Sequence, residues 1–110
     1  MENKEEKYLD FNLYQRLASR TALYEDRMYP VCSLMVEAAE LADLFIKPIL
    51  RGDAVSVDRV KVISEAGDVL WNLAMILDDM NIDFEKVAKA NVEKLKKRLE
   101  DGTIQGRGDR

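Results

Sequence analysis

Turned at about 100° per residue, the chain repeats its apolar residues at helical intervals in four stretches, and nowhere does it alternate as a half-buried strand would. From Tyr8 to about Met28, Phe11, Tyr14, Leu17, Ala18 and Ala22 share one helical spacing. Tyr29-Pro30 interrupts that run, and Pro30 suits the first turn of the next helix, where its missing N–H costs nothing. The second stretch reaches about Lys47, with Pro48 and then Gly52-Asp53 as punctuation. Ser56 is placed as an N-cap for the third, with Val55 and Val60 as a hydrophobic staple, and that helix extends to about Asp79. Asp83 caps the fourth, with Ile82 and Val87 as its staple, and the pattern fades near Glu100. Residues 1–7 are a polar lead, and the Gly-rich tail of residues 101–110 cannot be helical. The pattern predicts an all-α, four-helix bundle-like domain over residues 1–110.

Two acidic pairs interrupt the apolar runs, Glu37-Ala38-Ala39-Glu40 and Glu65-Ala66-Gly67-Asp68. At i, i+3 both members of a pair leave the same face of a helix, so two antiparallel helices could converge four carboxylates on one point. Spacing alone carries no weight. With 21 acids in 110 residues, roughly four acid-x-x-acid pairs are expected by chance, and four occur. Context separates the central pairs from the others. Around Glu65, Val60, Val62, Ile63, Val69, Leu70, Trp71, Leu73, Ala74, Ile76 and Leu77 occupy an arc of roughly 200° or more, leaving a narrow strip of Lys61, Glu65, Asp68, Asn72 and Asp79. A helix so widely apolar has partners on most sides, and its polar strip is suited to line a pocket. Glu37 and Glu40 share their sector with Val36 and Leu44, which a solvated face would not favour. Four crowded acids need a positive occupant, and a hard divalent cation such as Mg²⁺ or Mn²⁺ fits an all-oxygen site. The residues alone leave two readings open, a metal or ligand site and two ordinary solvated stripes.

Composition narrows the chemistry. No histidine is present, which removes Ser-His and Cys-His nucleophiles, histidine-ligated zinc and Glu-x-x-His di-iron bundles. Cys32 is the lone cysteine, so no intrachain disulfide forms, and its apolar neighbours predict a buried packing role. A net charge of −4 with no basic stripe argues against a nucleic-acid polymer as partner. No run approaches a membrane span, and the charged N-terminus lacks the apolar stretch of a signal peptide, so the expected compartment is the cytoplasm.

The fourth helix adds an independent feature. Phe84, Val87, Ala88 and Leu95 form its apolar stripe, Asn91 falls in the middle of it, and Lys94 and Arg98 follow one border. An amide directed at a core needs partners, and two cations a turn apart could neutralise phosphate oxygens. The plainer reading is a satisfied core amide beside two solvated cations.

The ordered set Glu37-x-x-Glu40 and Glu65-x-x-Asp68 resembles the E-x-x-E and E-x-x-D signature of the MazG-like nucleoside triphosphate pyrophosphohydrolases, within the all-α NTP pyrophosphatase superfamily. Tyr14-Gln15, Thr21-Ala22, Tyr29-Pro30, the run from Gly67 to Trp71, Asn91-x-x-Lys94-Leu95 with Arg98, and the Gly102-Thr103-Ile104 and Gly106-x-Gly108-Asp109 tail look like positions of small stand-alone, phage-type members. Asn72 departs from the pattern, because many relatives carry an aromatic residue after the tryptophan.

The resemblance implies cleavage between the α- and β-phosphates of a nucleoside triphosphate, releasing monophosphate and pyrophosphate. Glu37, Glu40, Glu65 and Asp68 would hold Mg²⁺, with Mn²⁺ as a substitute, and the ion would bridge phosphate oxygens and acidify a bound water. Lys94, Arg98, Asn91 and Lys61, with Lys47, are implied on the phosphate side, and Gln15, Tyr14 and Trp71 on the nucleoside side. Related proteins are intertwined homo-oligomers, and the broad apolar arc of the third helix exceeds what one short four-helix layer can cover, so a homodimer or homotetramer is expected. Two other classes stay open: phosphoribosyl-ATP pyrophosphohydrolase, which breaks the same bond in a modified nucleotide, and a helical regulatory module that has lost activity.

Overall fold

The structure, a computed structural model, describes residues 8–52 and 56–104. Four helices and no strand occur among them: α1 (Phe11–Ser19), α2 (Met28–Leu50), α3 (Arg59–Asp79) and α4 (Phe84–Glu100). The all-α expectation holds. Val55, the polar lead and residues 105–110 of the expected tail lie outside the described residues, while residues 101–104 are non-helical as expected.

The first helix is much shorter than its apolar pattern suggests. Ser19 Oγ donates to the Arg16 carbonyl and Thr21 Oγ1 to the Ala18 carbonyl, both at 2.7 Å, and these local bonds replace the helix ladder. The backbone tightens in step, with Arg20 N and Thr21 N bonding three residues back. At its start, the Asp10 carboxylate accepts from Leu13 N at 2.7 Å.

The ends of the other helices follow cap chemistry. Asp26 Oδ1 accepts from Met28 N, so α2 begins two residues before Pro30, which then sits in the first turn. Pro48 does not stop α2; it is buried inside the last turn, and Gly52 at φ +72° closes the helix instead. For α3 the cap is Asp58 rather than Ser56, with Oδ1 accepting from Val60 N and Lys61 N. Val60, expected as a staple, is exposed. Asn81 at φ 57° turns α3 into α4, with Ile82 N returning to the Leu77 carbonyl at 2.9 Å. Gly102 at φ +70° ends α4 in the same manner, Thr103 N reaching the Arg98 carbonyl at 2.8 Å.

After Gly52, α3 returns along α2, so that Lys47 and Arg51 face Asp58 and Lys61 while Glu40 faces Glu65. The buried centre lies elsewhere, where α1, α3 and the start of α4 meet: Ala74, Met75 and Phe84 are enclosed by Tyr14, Ala18, Tyr24, Leu70, Trp71, Leu73 and Leu77. Gln15 fastens this junction. Its Nε2 donates to the Ala74 and Ile82 carbonyls at 3.2 and 3.0 Å, and its Oε1 accepts from Phe84 N at 3.1 Å. Asn12 Oδ1 accepts from Glu85 N at 2.9 Å, so α1 caps the first turn of α4.

Much apolar surface stays outside this packing. On α2, Val31, Met35, Ala38, Ala42, Phe45 and Ile49 are exposed at alternating steps of four and three, the seam pattern of a coiled coil. Val60 and Ile63 on α3 and Val92, Leu95 and Leu99 on α4 are exposed as well. Cys32, expected to be buried, is exposed on α2, because no other element of the described chain covers that face. Among the described residues, no helix is long and apolar enough to cross a membrane.

Candidate functional site

The two acidic pairs meet on the seam between α2 and α3. Carboxylate oxygens of Glu37, Glu65 and Asp68 lie within 4.8 Å of one another. Glu40, one turn along α2 from Glu37, adds its charge to that of Glu37 and lines the adjoining cleft with Glu65. The i, i+3 spacing produces this convergence because each pair occupies one helix face and the helices run in opposite directions.

The electrostatics of the cluster are those of crowded carboxyl groups. Glu37 Oε2 and Glu65 Oε2 are buried and have no hydrogen-bond partner. The Glu37 carboxyl is pushed up to about 7, first by desolvation, then by the charges of Glu40 and Asp68, with proton sharing toward Glu40 and Glu65 favouring the neutral form further. The Tyr14 hydroxyl is raised as well, first by burial and then by the charge of Asp68. All four acids offer oxygen, two of the oxygens are buried and unpaired, and the charges repel. Such a donor set fits a hard divalent ion.

A cleft of about 520 Å³ opens beside the acids, walled by Glu40, Asp43, Lys47, Arg51, Lys61 and Glu65 among others, a size typical of small-ligand sites. Lys61 stands one turn before Glu65 on the polar strip of α3. Lys47 pairs with Asp43 at 2.9 Å, an exposed i, i+4 contact of little energetic weight. At the other end of the seam, the rings of Tyr24, Tyr29 and Trp71 gather, Tyr24 and Tyr29 stacked at 5.7 Å and Trp71 edge-on to both. Trp71 is tied further by its Nε1 donating to Thr21 Oγ1 at 2.8 Å.

The remaining sequence-predicted residues are not gathered here. Asn91, Lys94 and Arg98 are all exposed on α4, and none of them walls the cleft. Asn91 does not enter the core, since the neighbouring Val92 and Leu95 are themselves uncovered. Gln15, implied on the nucleoside side, is 5% exposed, and both its amide hydrogens go to backbone carbonyls at the α1–α3–α4 junction. The cleft also includes Arg51, Asp58 and Ser64, which the periodicity did not single out. Asn72, on the predicted polar strip, is 2% exposed with Oδ1 buried and unpartnered.

Comparison with known proteins agrees with this geometry. A family model described as the MazG nucleotide pyrophosphohydrolase domain matches residues 31–103, which include both acidic pairs. The chain is 34% identical over 110 residues to the Gene 37 protein of Mycobacterium phage L5, covering 89% of this chain and 96% of that one. It is 35% identical over 74 residues to the uncharacterized protein YvdC of Bacillus subtilis (strain 168), covering 61% of this chain and 70% of that one. No solved structure matches significantly. With the acids of α2 and α3 joined on one seam and the family model spanning both, the chain belongs to the MazG nucleotide pyrophosphohydrolase domain family, hydrolases acting on nucleotides.

Proposed function

We propose that this chain hydrolyses the α–β phosphoanhydride of a nucleoside or deoxynucleoside triphosphate, yielding the monophosphate and pyrophosphate, with Mg²⁺ or Mn²⁺ held by Glu37, Glu40, Glu65 and Asp68. The observation that carries this reading is the pair of buried, unpartnered oxygens of Glu37 and Glu65 within 4.8 Å of an Asp68 oxygen. A divalent ion there supplies positive charge to phosphate oxygens and acidifies water. The chain's own part is positional. Lys61, with Lys47 and Arg51, offers ammonium and guanidinium donors beside the acids for the outer phosphates. The cluster of Tyr24, Tyr29 and Trp71 at the other end offers apolar ring surface for the nucleoside. One of the four acids, or a neighbouring carboxylate, orients the attacking water.

We further assign Asn91, Lys94 and Arg98 to the phosphate side. Their exposure on α4 suits a role completed by assembly, and the uncovered seam on α2 supports a homodimer or homotetramer. Arg98→Ala then cuts turnover by roughly one to three orders of magnitude, the scale of a charge-assisted hydrogen bond in a dry site, while Lys86→Ala near the start of α4 has no effect. Sedimentation showing a stable micromolar monomer would remove the assembly reading.

The test of the reaction is pyrophosphate release measured across a panel of ribo- and deoxynucleoside triphosphates, with Mg²⁺ and with excess chelator. Release that needs the ion supports the assignment. Full turnover in chelator, or silence on every nucleotide, refutes it.

A further inference from the structure

The described chain buries two amide side chains, and they are treated in opposite ways. Gln15 has backbone partners for every hydrogen and for its oxygen. Asn72, at 2% exposure, has a partner only for Nδ2, which donates to the Asp68 carbonyl at 2.8 Å. That bond fixes the amide, because a carbonyl only accepts: the nitrogen must face it, and Oδ1 is turned the other way. Oδ1 is buried without a donor, and among the described residues the only other buried side-chain atoms in that condition are Glu37 Oε2 and Glu65 Oε2.

Two of the three residues share one strip of α3, and Glu37 meets that strip from α2 at Glu65 and Asp68. Asn72 follows Asp68 by one turn and Glu65 by two on the same strip of α3, and helical side chains lean toward the N-terminus, so the Asn72 amide covers the turn that carries Asp68. Three acceptors and no donor call for a group that presents positive charge to the carboxylates and hydrogens to the amide. A hydrated Mg²⁺ or Mn²⁺ does both, since these ions retain several waters when carboxylates bind them.

We propose that Asn72 Oδ1 is an outer-sphere acceptor for the divalent ion, taking a hydrogen bond from one of its waters and so fixing the ion's position between α2 and α3. Asn72 is thus a positioning residue. The inference rests on the metal reading above and adds to it a residue that is not itself a ligand. It also gives a reason for a polar amide at a buried helix position where leucine would match the volume.

Mn²⁺ binding to the full chain, followed by loss of the free-ion electron paramagnetic resonance signal, tests this without turnover. Asn72→Leu keeps the volume and removes both polar groups, and it is expected to weaken Mn²⁺ by about 10–100-fold, the usual cost of losing an outer-shell partner, without lowering the metal-free Tm. Asn72→Asp keeps an acceptor oxygen and is expected to bind Mn²⁺ at least as tightly as the unmodified chain. An amide with only a structural role would lower the metal-free Tm and leave Mn²⁺ affinity unmoved. Unchanged affinity in Asn72→Leu overturns the proposal, as does a loss in Asn72→Asp equal to that expected for leucine; the second arm decides if the leucine variant fails to fold. If the unmodified chain binds no Mn²⁺, the metal reading fails and takes this proposal with it. If the unmodified chain binds and Asp68→Asn weakens binding while Asn72→Leu does not, the metal reading stands and Asn72 alone is misassigned.

Discussion

The α1–α3–α4 junction and the α2–α3 seam both bury polar side chains, and they differ in whether the chain itself satisfies them. At the junction, Gln15 closes three hydrogen bonds to backbone groups that lie 59 to 69 residues away in the chain. On α2 and the polar strip of α3, oxygens of Glu37, Glu65 and Asn72 are buried and have no hydrogen-bond partner. A buried polar group without a partner costs free energy, so a fold keeps one only where something else completes it. The junction is finished by its own sequence. On the proposed reading, the seam is finished by a divalent ion.

The sharpest test exchanges the two regions. Asp68→Asn removes a charge from the seam at constant volume and should lower pyrophosphate release by on the order of 10³-fold or more, since the proposed ion loses a charged ligand. Circular dichroism and the metal-free Tm should hold or improve, because like-charge repulsion falls. A large loss of stability in this variant would mean that the seam holds the fold after all.

Gln15→Leu makes the complementary test. It leaves the buried Phe84 N–H without an acceptor and deletes two further bonds, so the cost should be about 2–4 kcal/mol in chemical denaturation. Turnover per folded molecule and Mn²⁺ affinity should stay within about twofold, because both amide hydrogens already serve the backbone. A selective loss of activity with stability intact would return Gln15 to the nucleoside side, where the family resemblance places it.

What the sequence revealed follows the same division. The strip Lys61, Glu65, Asp68, Asn72 was legible because its 4-3-4 steps are a property of one helix, and Glu37 with Glu40 because they are a property of another. Their meeting needed only that the two helices be consecutive and return on each other. The end of α1 was not legible: its apolar pattern runs on past Ala22, while the local bonds of the Ser19 and Thr21 hydroxyls, and the reach of Trp71 to Thr21, decide the outcome. Partners of Gln15 are equally non-local. Cys32 and Asn91 are exposed where the pattern predicts cover, for one shared reason: an apolar stripe shows a face to be covered without showing that this chain covers it.

A pH series tests the seam without mutation. The Glu37 carboxyl is raised from 4.5 to about 7 in the folded, metal-free protein, so between those values the folded state binds more protons than the unfolded state. Unfolding free energy should therefore fall as pH rises from about 4.5 to about 7 and level off above. Glu37→Gln should flatten that slope, and saturating Mg²⁺ should reverse it by favouring the ionised quartet. A slope of the same size in Glu37→Gln would assign the titration to another group.

The smallest expected effect lies where the two regions adjoin. Tyr24 stacks on Tyr29 at the head of α2, and its hydroxyl donates to Asp79 Oδ2 at 2.7 Å on α3. Tyr24 is raised to about 12, by desolvation first and then by the bond to Asp79 and the charges of Asp79 and Asp78, against a smaller opposing pull from Arg27. A raised folded-state value means that the stabilisation is fully present below the ordinary value of 10 and is lost as pH rises through about 12. Tyr24→Phe keeps the ring stack and deletes the bond, so it should cost about 0.5–1.5 kcal/mol at neutral pH, at the lower end because the site is partly wet. The alkaline loss of stability between about 10 and 12 should shrink with it. If the ring alone matters, denaturation midpoints of Tyr24→Phe and the unmodified chain will coincide at pH 7. Tyr24 would then serve the aromatic cluster rather than tie α2's head to the finished junction.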